Sequence, residues 1–172
     1  SIVPWVLLGL LAVAVLLVGG RFAFVQLRRR RRRGRSDTPS GRVRAAWLWA
    51  AGGGLGENAA TISGPAAAYW HGMLDHAPPA VDVATPSRTR GRSRPGVRTC
   101  MRVLPADDIA VVRGLSVTNR GLAALETAVV RPDGSAFLDR ALQRHVPFAD
   151  VYAAYCRALG RHGSGDMGRL LI

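Results

Sequence analysis

From Ile2 to Gly20 the chain reads IVPWVLLGLLAVAVLLVGG, nineteen residues without a charge, and arginines follow at once. They are Arg21, the unbroken block Arg28, Arg29, Arg30, Arg31, Arg32 and Arg33, and then Arg35. At a helical rise of about 1.5 Å per residue the apolar run approaches the roughly 30 Å hydrocarbon core of a bilayer. A helix that lies on a protein core shows a polar face every few positions, and this one is apolar all the way round. A cleavable signal peptide has its basic residues in front of the apolar stretch, so the order here argues against one. The expectation is a single transmembrane helix over residues 1–27, with Trp5, Phe22 and Phe24 as interfacial anchors, then a polybasic stop-transfer block and flexible linker over 28–41. The positive-inside rule places the N-terminus outside the plasma membrane and the rest of the chain in the cytoplasm. The arginine block reads first as a topology signal, accompanied by contact with anionic lipid headgroups worth around 1 kcal/mol per basic residue. Contact with nucleic-acid phosphates is the competing reading of the same residues.

Net charge sharpens this. The formal charge is +13, from 24 basic residues against 11 acidic ones, and every basic residue is arginine. A chain rich in Ala, Gly and Arg and empty of Lys carries the mark of a GC-rich genome, so scattered arginines say little about a ligand. Residues 1–35 hold eight arginines and no acid, while 36–172 hold sixteen against eleven, so +8 of the charge lies beside the apolar run and +5 beyond it. A nucleic-acid-binding domain spreads its excess charge over its own surface. Cys100 and Cys156 stand far apart with no C-x-x-C pair, and read as buried or partly buried thiols in a reducing compartment.

The segment GRSDTPSG (34–41) is a tether by composition. After it, Val43–Ala51 reads as a short helix with Trp47 on its apolar side, ended by Gly52-Gly53-Gly54. Ser63 is placed to cap a second helix that Pro65 starts and Gly72 ends. Strands are expected at Ala80–Thr85, Val97–Val103, Ile109–Val112 and Leu115–Thr118, with Pro105-Ala106-Asp107-Asp108 as a turn, giving a small, mostly antiparallel sheet. From Gly121 the spacing becomes helical, with Leu122, Leu125, Ala128 and Val129 on one face, and the Arg131-Pro132-Asp133-Gly134 turn breaks it. Further helices run to about Arg144, from Pro147 to Leu159, and from a Ser164 cap to the end. The fold class expected is therefore α+β: an N-terminal transmembrane helix, then a small domain over 42–172 with several C-terminal helices.

Catalytic chemistry finds little support. Metal-dependent cleavage needs converging carboxylates and usually a lysine; the chain has no lysine, and Asp107 and Asp108 read as turn formers. His71 and His76 are separated by a helix-ending glycine, so they read as satisfied or exposed side chains rather than metal ligands. His145 and His162 fall at helix ends and read as caps. No G-x-S-x-G, P-loop or G-x-G-x-x-G pattern occurs. No catalytic, cofactor-binding or metal residue is expected, and no cofactor.

Several motifs carry a resemblance: AAWLWA (45–50), SGPAAAYWHGM (63–73), VDVATP (81–86), RPGVR (94–98), GLSVT (114–118) and DGSAFLDRALQRHVPFADVYAAYCRALGRHGS (133–164). Residues 42–172 resemble the middle domain of actinobacterial, especially mycobacterial, proteins related to AbiEi-type antitoxins of abortive-infection systems, which are often fused to a very-short-patch-repair-like endonuclease. The resemblance implies a winged helix in front and a nuclease behind, yet an apolar segment stands where the first belongs and the chain ends where the second begins. Many relatives carry Arg and Asp where this sequence has Leu122 and Glu126. The leading expectation is a membrane-anchored cytoplasmic interaction or regulatory module without catalytic activity and with an unknown protein partner. The alternative is a piece of a DNA-acting protein, antitoxin-like regulator or endonuclease-fused, whose active domain lies outside this chain. An artificial join of two reading frames near the linker is a third possibility.

Overall fold

The computed structural model describes residues 38–52, 60–86, 94–161 and 163–172. Chain contacts divide the molecule into Ser1–Thr38 and Pro39–Ile172, and the second unit is the subject below. Its elements in order are α1 (Pro39–Ala50), β1 (Thr61–Ser63), α2 (Gly64–Trp70), β2 (Val81–Thr85), β3 (Val97–Met101), a 3-10 turn (Ala106–Asp108), β4 (Ile109–Val112), β5 (Leu115–Thr118), α3 (Arg120–Val130), α4 (Gly134–Arg144), α5 (Phe148–Ala158) and α6 (Ser164–Leu170). The α+β class holds.

The expected transmembrane helix does not. Among the described residues no helix is long and apolar enough to cross a membrane. The longest is α1 at 12 residues, about 18 Å at the usual rise, little more than half a bilayer core. Ile2–Gly20, the arginine block Arg28–Arg33 and Arg35 lie outside the described residues. The single-pass topology and plasma-membrane location rested on that helix and are set aside with it.

The sheet has the order β3-β2-β1-β5-β4, and it is mixed rather than mostly antiparallel. β1 pairs antiparallel with β2 and β4 with β5, while β1 with β5 and β2 with β3 run parallel. The strands were legible as apolar alternating runs; their partners were not, because only β4 and β5 are joined by a tight turn that fixes its own pairing. That turn is Arg113-Gly114, both at positive φ (49° and 77°), the two-residue geometry whose twist suits a hairpin. β1 was missed altogether, being three wholly buried residues (Thr61, Ile62, Ser63) without alternation.

Two apolar cores follow. One sets α1 on the sheet through Val43, Ala46 and Trp47 against Ile62, Val81, Val83 and Val117. The other is helical, joining Leu122, Leu125 and Ala128 of α3 to Phe137 and Leu138 of α4, Val151 and Ala154 of α5 and Met167 of α6. Leu122, Leu125 and Ala128 are buried as their spacing predicts, and Val129 is half-buried. Pro147 stands at the start of α5 and His145 at the end of α4 as expected, while α6 is preceded by Gly163 rather than capped by Ser164. Gly53, Gly54 and His162 fall outside the described residues.

Candidate functional site

A buried carboxylate ties the two cores together. Glu126 of α3 accepts a hydrogen bond from the backbone N–H of Gly64 at 2.8 Å and is ion-paired with Arg102. Burial pushes its carboxyl above the usual range, against the opposing pull of Arg102 and the Gly64 N–H. Asp82 of β2 lies beside it, since a side-chain carbon added at Gly64 would come 3.5 Å from the Asp82 carboxylate. Asp82 is in turn held by Arg98 at 2.7 Å. Ser63 precedes α2, but its side chain makes no capping hydrogen bond, so the Glu126 carboxylate does what the sequence assigned to Ser63. Arg98 engages both oxygens of Asp82, and Arg102 and the Gly64 N–H engage the two oxygens of Glu126. Among the described residues no group of three or more His, Cys, Asp or Glu is placed to hold a metal.

Asp108 is a second case. It sits in the expected turn, yet it is wholly buried, with Arg157 of α5 on one of its oxygens at 2.8 Å. Asp108 thus fastens the 3-10 turn to α5 as well as shaping it.

Three arginines behave differently. Trp70, at the end of α2, is 1% exposed, and its indole N–H donates to the Val112 carbonyl at 2.8 Å. The guanidinium of Arg44 lies 5.4 Å from the Trp70 ring centroid and that of Arg113 lies 5.3 Å from it, both within cation–π range. Next to Trp70, His71 donates from Nε2 to the Thr118 carbonyl at 2.7 Å. Burial lowers its pKa, the hydrogen bond to Thr118 opposes that, and Arg120 and Arg113 lower it further. Arg44 and Arg113 therefore converge on Trp70 from α1 and the hairpin tip, while Arg120, at the start of α3, donates to the His145 carbonyl at 3.2 Å and acts on His71 through its charge. Arg94, whose guanidinium donates to the Ala45 carbonyl at 3.4 Å, adds a fourth cation beside α1.

The contrast with the other arginines gives the cluster its meaning. Of the thirteen arginines among the described residues, six (Arg98, Arg102, Arg131, Arg140, Arg157, Arg169) are in ion pairs with carboxylates. Arg42, Arg44, Arg94, Arg113, Arg120, Arg144 and Arg161 form none among the described residues and all seven are exposed, and of these Arg44 and Arg113 lie over the Trp70 ring. A hollow of about 360 Å³ opens elsewhere, between the α3–α4 turn and α6, lined by Arg131, Asp133, Asp166 and Arg169 among others. Its charges are paired within it, and Arg131 holds the Asp133 carboxyl down to about 2.

The sequence reading placed site residues only at Arg28–Arg33 and Arg35, which lie outside the described residues, and missed the cluster at Trp70. Arg44, Arg113 and Arg120 lie 26, 43 and 50 positions from Trp70, so no local motif announces them. His71 is a satisfied side chain and His76 an exposed one, with Gly72 at φ 82° between them. Cys100 and Cys156 are free and exposed, not buried or partly buried as expected.

No curated protein and no solved structure shows a significant match to this sequence. One family model does match, that of the AbiEi antitoxin C-terminal domain, over residues 58–150. That span runs from β1 to the first turn of α5 and includes Gly64, Trp70, His71, Asp82, Arg102, Arg113, Arg120 and Glu126. With more than half of its length under that model, the chain belongs to the AbiEi antitoxin C-terminal domain family.

Proposed function

We propose that this chain is an antitoxin-like regulatory module that acts by binding rather than by catalysis, and that nucleic-acid phosphates are its ligand. The observation carrying this reading is the convergence of Arg44, Arg113 and Arg120, free of ion pairs among the described residues, around Trp70 and His71. The Arg44 and Arg113 guanidinium groups, laid over an indole, lose side-chain freedom before binding, and Arg120 is held by the His145 carbonyl, while their remaining N–H donors face phosphate oxygens. The family membership supports a regulatory role of this kind. Arg28–Arg33 and Arg35 supply a second run of cations for the same backbone contacts. Trp70 is too buried to stack on a base, so contact through phosphate favours little sequence readout from this face.

The test is fluorescence anisotropy of a labelled 25-base-pair duplex titrated with the full chain. Replacing Arg44, Arg113 and Arg120 together by Ala is expected to weaken binding at least tenfold. The charge-matched replacement of Arg131, Arg140 and Arg169, whose charges are already paired, is expected to change it less than threefold. Equal losses from the two triple variants would reduce the cluster to a share of net charge and defeat the reading.

A further inference from the structure

His71 sits among the arginines with one ring nitrogen already engaged. Its Nε2 lies 2.7 Å from the Thr118 carbonyl oxygen, which can only accept, so Nε2 carries the hydrogen. The neutral ring is therefore the Nε2–H tautomer, and Nδ1 is the nitrogen with a bare lone pair. Nδ1 has no partner among the described residues, and His71 is half-buried rather than enclosed. The residue is fixed from both sides: its backbone N–H closes α2 on the Ala67 carbonyl at 2.9 Å, and its ring is pinned to the last residue of β5.

The charges that act on this ring are all of one sign. They are Arg120, at the start of α3, and Arg113, at the hairpin tip, both exposed and without ion pairs among the described residues. Helix α2 carries no charged side chain. From the 3-10 turn, Asp108 is taken by Arg157 and Asp107 is exposed; from the end of α4, His145 presents its carbonyl to Arg120. Burial and the two guanidinium charges favour the neutral ring, against the pull of the Thr118 carbonyl.

We infer that His71 is the third donor of the phosphate site, and that it gains its donor hydrogen when a phosphate arrives. This rests on the phosphate-binding reading of Arg113 and Arg120. A diester anion seated on the two guanidinium groups cancels the positive field at the ring and puts an attractive charge in its place. The ring then takes one proton from solvent onto Nδ1, and the new N–H donates to the anion as a charge-assisted hydrogen bond. The complex holds one proton more than the separate partners, so binding tightens as pH falls. A phosphodiester keeps its single charge throughout the range tested, so the proton is counted on the protein alone.

Anisotropy of the 25-base-pair duplex with the full chain, at pH 6, 7 and 8 and constant ionic strength, tests this. The parent chain is expected to bind about fivefold more tightly at pH 6 than at pH 8. His71→Gln, which keeps an N–H to meet the Thr118 carbonyl, is expected to remove most of that gain. Changing His76, His145 and His162 together to Gln is expected to preserve it, and this second variant decides the matter if His71→Gln does not fold. In NMR pH titrations the midpoint of the His71 ring resonances is expected to rise by about one unit when duplex saturates the chain. A pH response that survives His71→Gln, one that vanishes with the other three histidines, or a His71 midpoint that duplex leaves in place would each overturn the proposal and leave the phosphate site standing. Duplex affinity indifferent to the joint replacement of Arg44, Arg113 and Arg120 would remove the phosphate reading itself, and this inference with it.

Discussion

Glu126 is one carboxylate with three neighbours that no local pattern connects: Gly64 lies 62 positions away, Asp82 44 and Arg102 24. Its role follows from folding, which brings the first residue of α2 and the end of the β3 segment onto one face of α3. The sign of its titration follows from burial. The folded state holds the Glu126 proton more tightly than the unfolded chain, whose value is near 4.5. That contribution to stability is fully present below about pH 4.5 and is lost as pH rises through the higher folded-state value. Arg102 offsets the loss by pairing with the charged form, so Arg102→Ala is expected to cost about 3 kcal/mol at pH 8, where it strands a buried charge. At pH 5, where the carboxyl can take up a proton, the cost is expected to be much smaller. Urea unfolding of both proteins at the two pH values measures this, and the same loss at pH 5 and pH 8 would show that Arg102 acts by packing alone. Asp133 has the opposite sign. Arg131 lowers its carboxyl to about 2, so its stabilisation is complete above about pH 3.8 and disappears as pH falls toward 2. Asp133→Asn is expected to flatten this acid limb in the same unfolding series.

At the scale of elements, most helices were legible because each carries its own evidence, a proline or polar residue at the start, a glycine or turn at the end and apolar residues every three or four positions between, although α1 begins at Pro39, inside the segment read as a tether. α5 was expected from Pro147 to Leu159 and spans Phe148–Ala158. Strands were legible one at a time and illegible as a sheet, because pairing partners such as Ile62 and Val117 are separated by whole helices. Helix crossings were likewise hidden, and Gly121 shows how much one residue decides. A Cβ there would sit 2.5 Å from the Asp150 carbonyl oxygen and 2.9 Å from its carbon, so α3 and α5 touch backbone to backbone at that point. Alanine normally gains about 1 kcal/mol over glycine inside a helix. Here Gly121→Ala is expected to lose about 1–3 kcal/mol, because the whole of α5 must move away. A thermal or urea midpoint that rises instead would mean the two helices can part without cost.

For the whole molecule the question is how the charge is divided between the N-terminal arginines and the domain. The sequence concentrates +8 in residues 1–35, which made the remaining arginines look like background. Among the described residues that background separates into six arginines held by carboxylates and seven that are not, of which Arg44 and Arg113 lie over Trp70. The phosphate-binding reading turns this division into a number. Each phosphate neutralised on duplex DNA contributes about 0.9 to the slope of log affinity against log salt. If Arg44, Arg113 and Arg120 each meet one phosphate, replacing all three by Ala is expected to lower the slope of the full chain by about 2 to 3. Arg28–Arg33 and Arg35 then account for much of the slope that remains. Replacing those seven instead is expected to lower it further than the domain triple does. A triple variant whose slope equals that of the parent chain, at whatever affinity, would mean that the arginines around Trp70 touch no phosphate and serve only to cover the indole.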